Sequence, residues 1–303
     1  MDFRQLNYVK AVAEYGNITK AAAALYISQP SLSHYISKTE EELGVKLFDR
    51  STTPLTLTYA GERYLNTARQ ILSLSEFLTN EMHDIADSST GRIRVGIPRE
   101  RSSYMLPLIL PLFYEKYEGV HIEVVESGTR TLEDALRQGS LDIIITPSHV
   151  DSEGLTIEHI YGEELLLAAQ KGKLSDKHFF KGTRHVDLDK IRDMPIFMLR
   201  SGRGIRTALD LVFKSYDYTP NIAMEVNSNM TAYRLAAFGT GVAVVPSMTV
   251  KLSGSELSVD VFSFTPEPVK WDIVAVYRKD AYISSAARVF LDIARQVFTG
   301  TMP

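Results

Sequence analysis

The chain has no cysteine in its 303 residues. Disulfides and thiolate metal sites are thereby excluded, and nothing points to an oxidising compartment. No apolar run approaches the roughly 20 residues that span a bilayer. The start, MDFRQLNYVK, has no apolar core of a secretory signal. A soluble cytoplasmic protein with no membrane association is the expectation. Catalytic signatures are missing too. There is no G-x-S-x-G elbow, no G-x-x-x-x-G-K-[ST] loop and no H-E-x-x-H pair, and the seven histidines lack close metal-ligand spacing. Gly202-Arg203-Gly204 is no dinucleotide fingerprint. No catalytic residue, metal site or cofactor is expected. An excess of positive charge is also lacking. The net charge is −4, and residues 1–60 hold six basic and six acidic side chains that cancel. Binding to nucleic acid would have to rest on where charges sit rather than on their sum.

What is present is length and apolar content. A chain of 303 residues suggests two or more domains, and a 45% hydrophobic share permits sizeable cores. Residues 3–15 read as an amphipathic helix with Phe3, Leu6, Val9, Val12 and Ala13 inward, ended by Gly16. Asn17 is a good N-cap for a helix from Ile18 to about Tyr26, whose Ala21, Ala22 and Leu25 form a thin apolar face. The chain turns at Tyr26-Ile27. Ser28 can cap a second helix, with Pro30 in its first turn, where a missing N–H costs little. Leu32, Ile36 and Leu43 would face inward, and Gln29, Ser31, Ser33, His34 and Lys38 outward. Glu40 to Glu42 lie at the far end, away from that start. Residues 46–58 alternate and contain Pro54, as a short wing hairpin would.

A helix with such an outer face fits the major groove, where paired donors and acceptors read base edges. A helical hairpin whose outside is polar because outsides are polar fits the spacing equally well.

Residues 2–61 resemble the N-terminal domain of the LysR-type transcriptional regulators. The matching positions are Phe3, Leu6, Val12, Ala21-Ala22, Leu25, Ser28-Gln29-Pro30, Ser33, Ile36, Glu40, Leu43-Gly44, Leu47-Phe48, Arg50, Leu57-Thr58 and Ala60-Gly61. Thr39 departs from the family's usual Leu, and the wing STTPLTLT lacks a second basic residue. The resemblance implies a winged helix-turn-helix at residues 1–58, with DNA contacts from Asn17, Thr19, Ser28, Gln29, Pro30, Ser31, Ser33, His34, Lys38, Arg50, Thr52 and Thr53.

Tyr59 to about Asp87 reads as one long helix. Tyr64, Ile71, Leu78 and Ile85 recur every seventh residue, widened by Leu65, Ala68, Leu72 and Leu74. A second copy is one partner for this stripe and the rest of the chain is another; the resemblance favours a homodimer through this linker helix (59–90). The run Asp87 to Gly91 is small and polar, a candidate hinge.

Beyond it the period changes. Strands are expected at Ile93–Pro98, Val120–Glu126, Leu141–Thr146, twice within Leu155–Gln170 around Gly162, then at Pro195–Leu199, Ile222–Val226, Val242–Val245 and Trp271–Arg278. Helices are expected at Tyr104–Glu118, Leu132–Gln138, Ile205–Phe213, Met230–Phe238 and Ile283–Val297. This alternation implies a parallel sheet covered on both faces. Gly91, Gly96, Leu106-Pro107, Phe113, Leu132, Leu136, Gly139, Leu141-Asp142 and GVAVVP (241–246) resemble the LysR effector domain. A periplasmic-binding-protein-like α/β domain (91–303) follows, with Rossmann-like lobe I at 91–162 and 266–303 and lobe II at 163–265.

Ligands of open α/β sheets bind beyond the C-terminal strand ends. The candidate effector-binding set there is Arg99, Arg101, Ser102, Ser103, Gly128, Thr129, Thr146, Arg200, Ser201, Gly202 and Asn227. Hydroxyls before helices and clustered arginines suit an anionic effector, and Glu100 and Glu126 leave a zwitterion open. The sequence thus reads as a DNA-binding transcription regulator controlled by a small molecule. Its partners would be double-stranded DNA with dyad sites, a second copy and, by resemblance, a homotetramer; RNA polymerase is a further partner that this role allows. The alternatives are a small-molecule binding or metabolic α/β protein without DNA binding, and a structural dimer module.

Overall fold

The structure, a computed structural model, describes residues 2–86, 90–148, 150–200, 204–254, 256–279 and 281–300. Three helices open the chain: α1 (Phe3–Tyr15), α2 (Ile18–Ala24) and α3 (Gln29–Leu43). Their ends follow side-chain chemistry. Asp2 and Gln5 form a reciprocal capping box on α1, and Gly16, at φ 56°, ends it. The Asn17 amide oxygen accepts from Lys20 N at 3.0 Å, and Ser28 Oγ from Ser31 N at 3.3 Å. Val9, Val12, Ala21, Ala22, Leu32, Ile36, Leu47 and Phe48 form the core. Phe3 and Leu43, expected inward, are exposed. Each sits at a helix end, Leu43 directly before Gly44 turns the chain at φ 70°. Thr39, in the place of a Leu, is buried and donates to the Tyr35 carbonyl of its own helix at 2.9 Å.

A wing of β1 (Phe48–Asp49) and β2 (Thr56–Leu57) leads into α4 (Tyr59–Ala86). A Cβ on Gly61 would lie 2.0 Å from the Leu47 carbonyl oxygen, so only glycine lets α4 start this close to the wing. The expected seam of α4 shifts. Leu65, Ala68 and Phe77 are buried in the chain itself, and Tyr64 packs on the N-terminal core. Leu74, Leu78 and Met82, spaced by four, stay exposed at 61%, 60% and 49%. Ile85 and hinge residues 87–89 fall outside the described side chains.

The C-terminal α/β domain holds β3 (Thr90–Ile97), α5 (Arg99–Tyr114), β4 (Gly119–Glu126), α6 (Thr129–Arg137), β5 (Ile143–Pro147) and β6 (Leu155–Gln170). It continues with β7 (Pro195–Leu199), α7 (Gly204–Ser215), β8 (Asn221–Val226), α8 (Asn229–Ala237), β9 (Val242–Pro246), α9 (Ser247–Leu252), β10 (Val259–Phe262), β11 (Lys270–Arg278) and α10 (Ser285–Thr299). Among the described residues the strand order is β4-β3-β5-β11-β6-β9-β7-β8, with β10 also on β6. The outer strands are parallel, as the β–α alternation requires, but β11 and β6 run antiparallel to their neighbours. The expected pair of strands around Gly162 is one strand. β6 pairs with β11 as far as Glu164 and with β9 from Leu165, so it runs through both halves of the sheet without a turn. The irregularity falls at Ile160, skipped in the register, rather than at Gly162, which pairs with Asp272.

Candidate DNA-reading surface and effector cleft

At the N-terminal end the structure leaves Thr19, Ser28, Gln29, Pro30, Ser31, His34 and Lys38 exposed, with Ser33 half-buried on the same helix. Leu32 and Ile36 anchor α3 from beneath. The polar start of α3 is therefore held out on a fixed core, as groove entry needs. Asn17 is exposed, and its amide oxygen serves the α2 cap. Thr52 and Thr53 lie exposed in the wing; Thr52 Oγ1 is 2.9 Å from Thr56 Oγ1.

Arg50, a candidate phosphate contact, is half-exposed and is also tied within the module. Its Nη2 donates to Ser37 Oγ at 3.1 Å and to Glu40 Oε2 at 3.4 Å, tying the wing to α3. Glu40 is the residue missed from sequence. It is buried, accepts from Leu47 N at 2.9 Å and Phe48 N at 3.2 Å, and pairs with Lys46 at 3.1 Å. Burial works to raise its carboxyl, but these amides and the Lys46 ammonium outweigh it and hold it below the usual range. The signal was its spacing, since Leu32, Ile36 and Glu40 fall on one face at steps of four. Glu41 and Glu42, one and two residues on, are exposed.

In the effector domain the ends of β3, β4 and β5 bring α5 and α6 together. Pro98 and Gly128 stand at their N-caps, and among the described residues neither helix receives a side-chain cap. The Thr129 and Thr146 hydroxyls lie 2.9 Å apart beside the α6 start. Ser102 Oγ donates to the Arg99 carbonyl at 2.8 Å and bonds the Glu126 carboxylate; Ser103 Oγ donates to the Glu100 carbonyl at 2.7 Å. Both serines thus serve the local helix start. From the ends of β7 and β8 come Arg200, exposed, whose N–H bonds the Val226 carbonyl at 3.0 Å, and Asn227, exposed. Ser201 and Gly202 lie outside the described residues.

Two residues change the expected picture. Arg101 is not on the rim. The structure begins α5 at Arg99, not Tyr104, which puts Arg101 one turn before Met105 on the buried face. Its Nη1 donates to Tyr104 Oη and Tyr161 Oη, both at 2.6 Å, and to Glu163 Oε1 at 3.1 Å. Burial alone would draw Arg101 down, but the tyrosines and Glu163 more than offset it; burial pushes Tyr161 up to about 12. Glu163 Oε2 accepts from Met248 N at 3.3 Å. A buried carboxylate on the crossing strand thereby joins α5 to α9, two residues before β6 changes partners. The second change is Asn229, absent from the expected set. Its Nδ2 donates to Glu100 Oε2 at 2.7 Å, so the first turn of α8 touches the first turn of α5.

The linker helix also grips lobe I. Arg69 Nη1 donates to Gln138 Oε1 at 2.7 Å, and Arg278 Nη2 to Ser73 Oγ at 2.9 Å, while the Arg278 guanidinium lies 4.7 Å from the Phe77 ring centre. Glu76 pairs with Arg92 at 2.6 Å and Arg94 at 3.0 Å; Arg94 also pairs with Asp142 at 2.8 Å. These contacts hold α4 against β3, β11 and the end of α6.

A polar helix start held out on a three-helix core, joined by one long helix to a large mixed α/β sheet domain, is the build of a DNA-binding regulator with a ligand-binding domain. Residues 3–62 match the bacterial regulatory helix-turn-helix proteins of the lysR family, and residues 86–299 match the LysR substrate binding domain. The chain is 31% identical to the uncharacterised HTH-type transcriptional regulator YcgK of Bacillus subtilis (strain 168), over 98% of this chain and 94% of that protein. Among solved structures it resembles full-length OxyR from Pseudomonas aeruginosa, with TM-score 0.76 and 23% identity over 97% of this chain and 98% of that one. It also resembles full-length CbnR complexed with its target DNA, with TM-score 0.67 and 25% identity over 98% and 100%. The chain belongs to the LysR family of transcriptional regulators. It is a DNA-binding regulator with an effector-binding domain, and no described helix is long and apolar enough to cross a membrane.

Proposed function

We propose that the start of α3 reads the major groove of dyad sites, with Gln29, Ser31, Ser33 and His34 at base edges and Lys38 and Arg50 at phosphates. The observation that carries this is the exposed polar face over buried Leu32 and Ile36. Two copies meet along Leu74, Leu78 and Met82 of the linker helix, and two such dimers pair through the effector domains. The regulator acts in the cytoplasm, with RNA polymerase as its eventual target. The effector, anionic or zwitterionic, enters the cleft at Thr129, Thr146, Arg200 and the first turns of α5, α6 and α8. The domain organisation is a DNA module to residue 58, a linker to 90, and two lobes divided at residue 162 and rejoined at 266. Closure around the effector shifts lobe I against α4 through Glu76 and Arg278, provided the effector binds the two arrangements with different affinity. DNA affinity, measured at several salt concentrations with and without Gln29→Ala and Lys38→Ala, tests the surface. Gln29→Ala relaxes one base preference, and Lys38→Ala weakens all sequences alike. Unchanged binding in both variants contradicts the assignment.

A further inference from the structure

Glu100 and Asn229 sit where the lobes meet, and their chemistry is one-sided. Glu100 Oε2 takes the Asn229 amide proton at 2.7 Å. The other oxygen of each side chain, Glu100 Oε1 and Asn229 Oδ1, is buried and meets no donor among the described residues. An ionised carboxylate only accepts, so the amide orientation that donates to Glu100 obliges Asn229 Oδ1 to face elsewhere. Two acceptors, one from each lobe and both on a single bonded pair, are left wanting donors. Buried polar atoms are rarely left so, and an unmet pair calls for a donor that the described residues do not supply.

Charge points the same way. Among the described residues Glu100 has no ion pair. The arginine before it, Arg99, has a side chain 85% exposed and lies 4.0 Å from Glu126. The arginine after it, Arg101, is turned into the core and matched by Glu163. A carboxylate thus lies at the lobe contact with its neighbouring cations directed elsewhere. Its complement is a positive, multi-donor group.

We infer that the effector carries an ammonium group that bonds Glu100 Oε1 and Asn229 Oδ1 together, and so is a small zwitterion of amino-acid type rather than a simple carboxylate. This rests on the reading of the cleft as the effector site. The acid end of the zwitterion takes the place assigned above to an anion, beside Thr129 and Thr146 at the α6 start. The ammonium end reaches both lobes at once, so its binding energy is available only where Glu100 and Asn229 are in contact. The cation is therefore the part of the effector that reports lobe closure, and the acid the part that docks it to one lobe.

Matched ligands test this on the full-length protein. L-amino acids are compared with the deaminated acids of the same carbon skeletons, read as thermal stabilisation and then by calorimetric titration. Wild type is set beside Glu100→Gln, which keeps the shape and removes the charge, and Thr129→Val; circular dichroism verifies that each variant is folded. The expected result is an amino acid that stabilises the protein and binds about tenfold to a hundredfold more tightly than its deaminated form. Glu100→Gln removes that difference, while Thr129→Val weakens both forms alike. Deaminated acids that bind as tightly as the amines, with Thr129→Val still weakening them, overturn the ammonium assignment and leave the cleft as the effector site. Ligands that ignore both variants, or no stabilisation by either series, overturn the cleft reading and this inference with it.

Discussion

The two ends of the molecule each place a glutamate in the interior beside an arginine, and the two pairs are built from different distances in sequence. Glu40 gathers Leu47 N, Phe48 N, Lys46 and Arg50, all within ten residues, and stitches a wing to the helix before it. Glu163 gathers Arg101, 62 residues away, and Met248 N, 85 residues away, and stitches α5 to α9. The DNA module is thus a local construction whose surface is fixed by its own short stretch of chain. The C-terminal α/β domain is assembled from remote pieces, tied at the buried Arg101–Glu163 pair, at the Asn229–Glu100 bond and along β6. A module of the first kind presents a rigid surface, whereas one of the second kind can open where its pieces meet.

The comparison breaks most readily at the lobe junction. Arg101→Met leaves Glu163 buried without its partner and is expected to cost about 3–5 kcal/mol. Scanning calorimetry should show the loss in the effector domain, with the N-terminal transition unmoved. A loss shared by both transitions would mean that the domains do not unfold separately. Glu40→Ala leaves the Leu47 and Phe48 amides without an acceptor and costs about 3 kcal/mol, confined to the N-terminal module.

Acid should repeat that result without a mutation. Glu40 sits below its ordinary value of 4.5, so its contribution is complete above pH 4.5 and is lost as pH falls through the lower folded value. DNA-module stability followed by near-ultraviolet dichroism between pH 6 and 3 (about the range over which carboxylates titrate) should fall in wild type and flatten in Glu40→Ala. Equal acid sensitivity in both would assign the effect to other carboxylates.

Smaller effects separate reading from holding at the surface. Gln29→Ala should cost about 1–3 kcal/mol at one base position and almost nothing in stability, because its side chain is exposed. Binding to a panel of single-base variants checks this. Lys38→Ala should lower affinity evenly across that panel and reduce the salt slope by about one. A sequence-dependent loss for Lys38 would move it to the base-reading group.

The same contrast governs what could be read from sequence. Caps at Asn17 and Ser28, the stop at Gly16 and the α3 face were visible because each depends on neighbours within a turn. The strands and helices of the effector domain were visible as a change of period. The inward turn of Arg101 was not, because it depends on α5 starting at Arg99, where Pro98 leaves no polar cap to mark the start. Nor was Asn229, which is defined by a bond to a residue 129 positions away. The continuous β6 was obscured by Gly162, which looked like a turn and is an ordinary strand position. Glu40 could have been found, since it continues the Leu32–Ile36 stripe, but it stood in an acidic run that resembled a solvated helix end.

The most direct test is a footprint of the purified protein on DNA upstream of its own gene and the divergent neighbour, at several salt concentrations. Protection of a dyad is expected, with half-sites about one helical turn (~34 Å) or a multiple apart, and with Gln29→Ala altering one base position symmetrically in both halves. No protection at any salt by a folded dimer, or a protected site whose base preferences ignore every α3 substitution, would contradict the account.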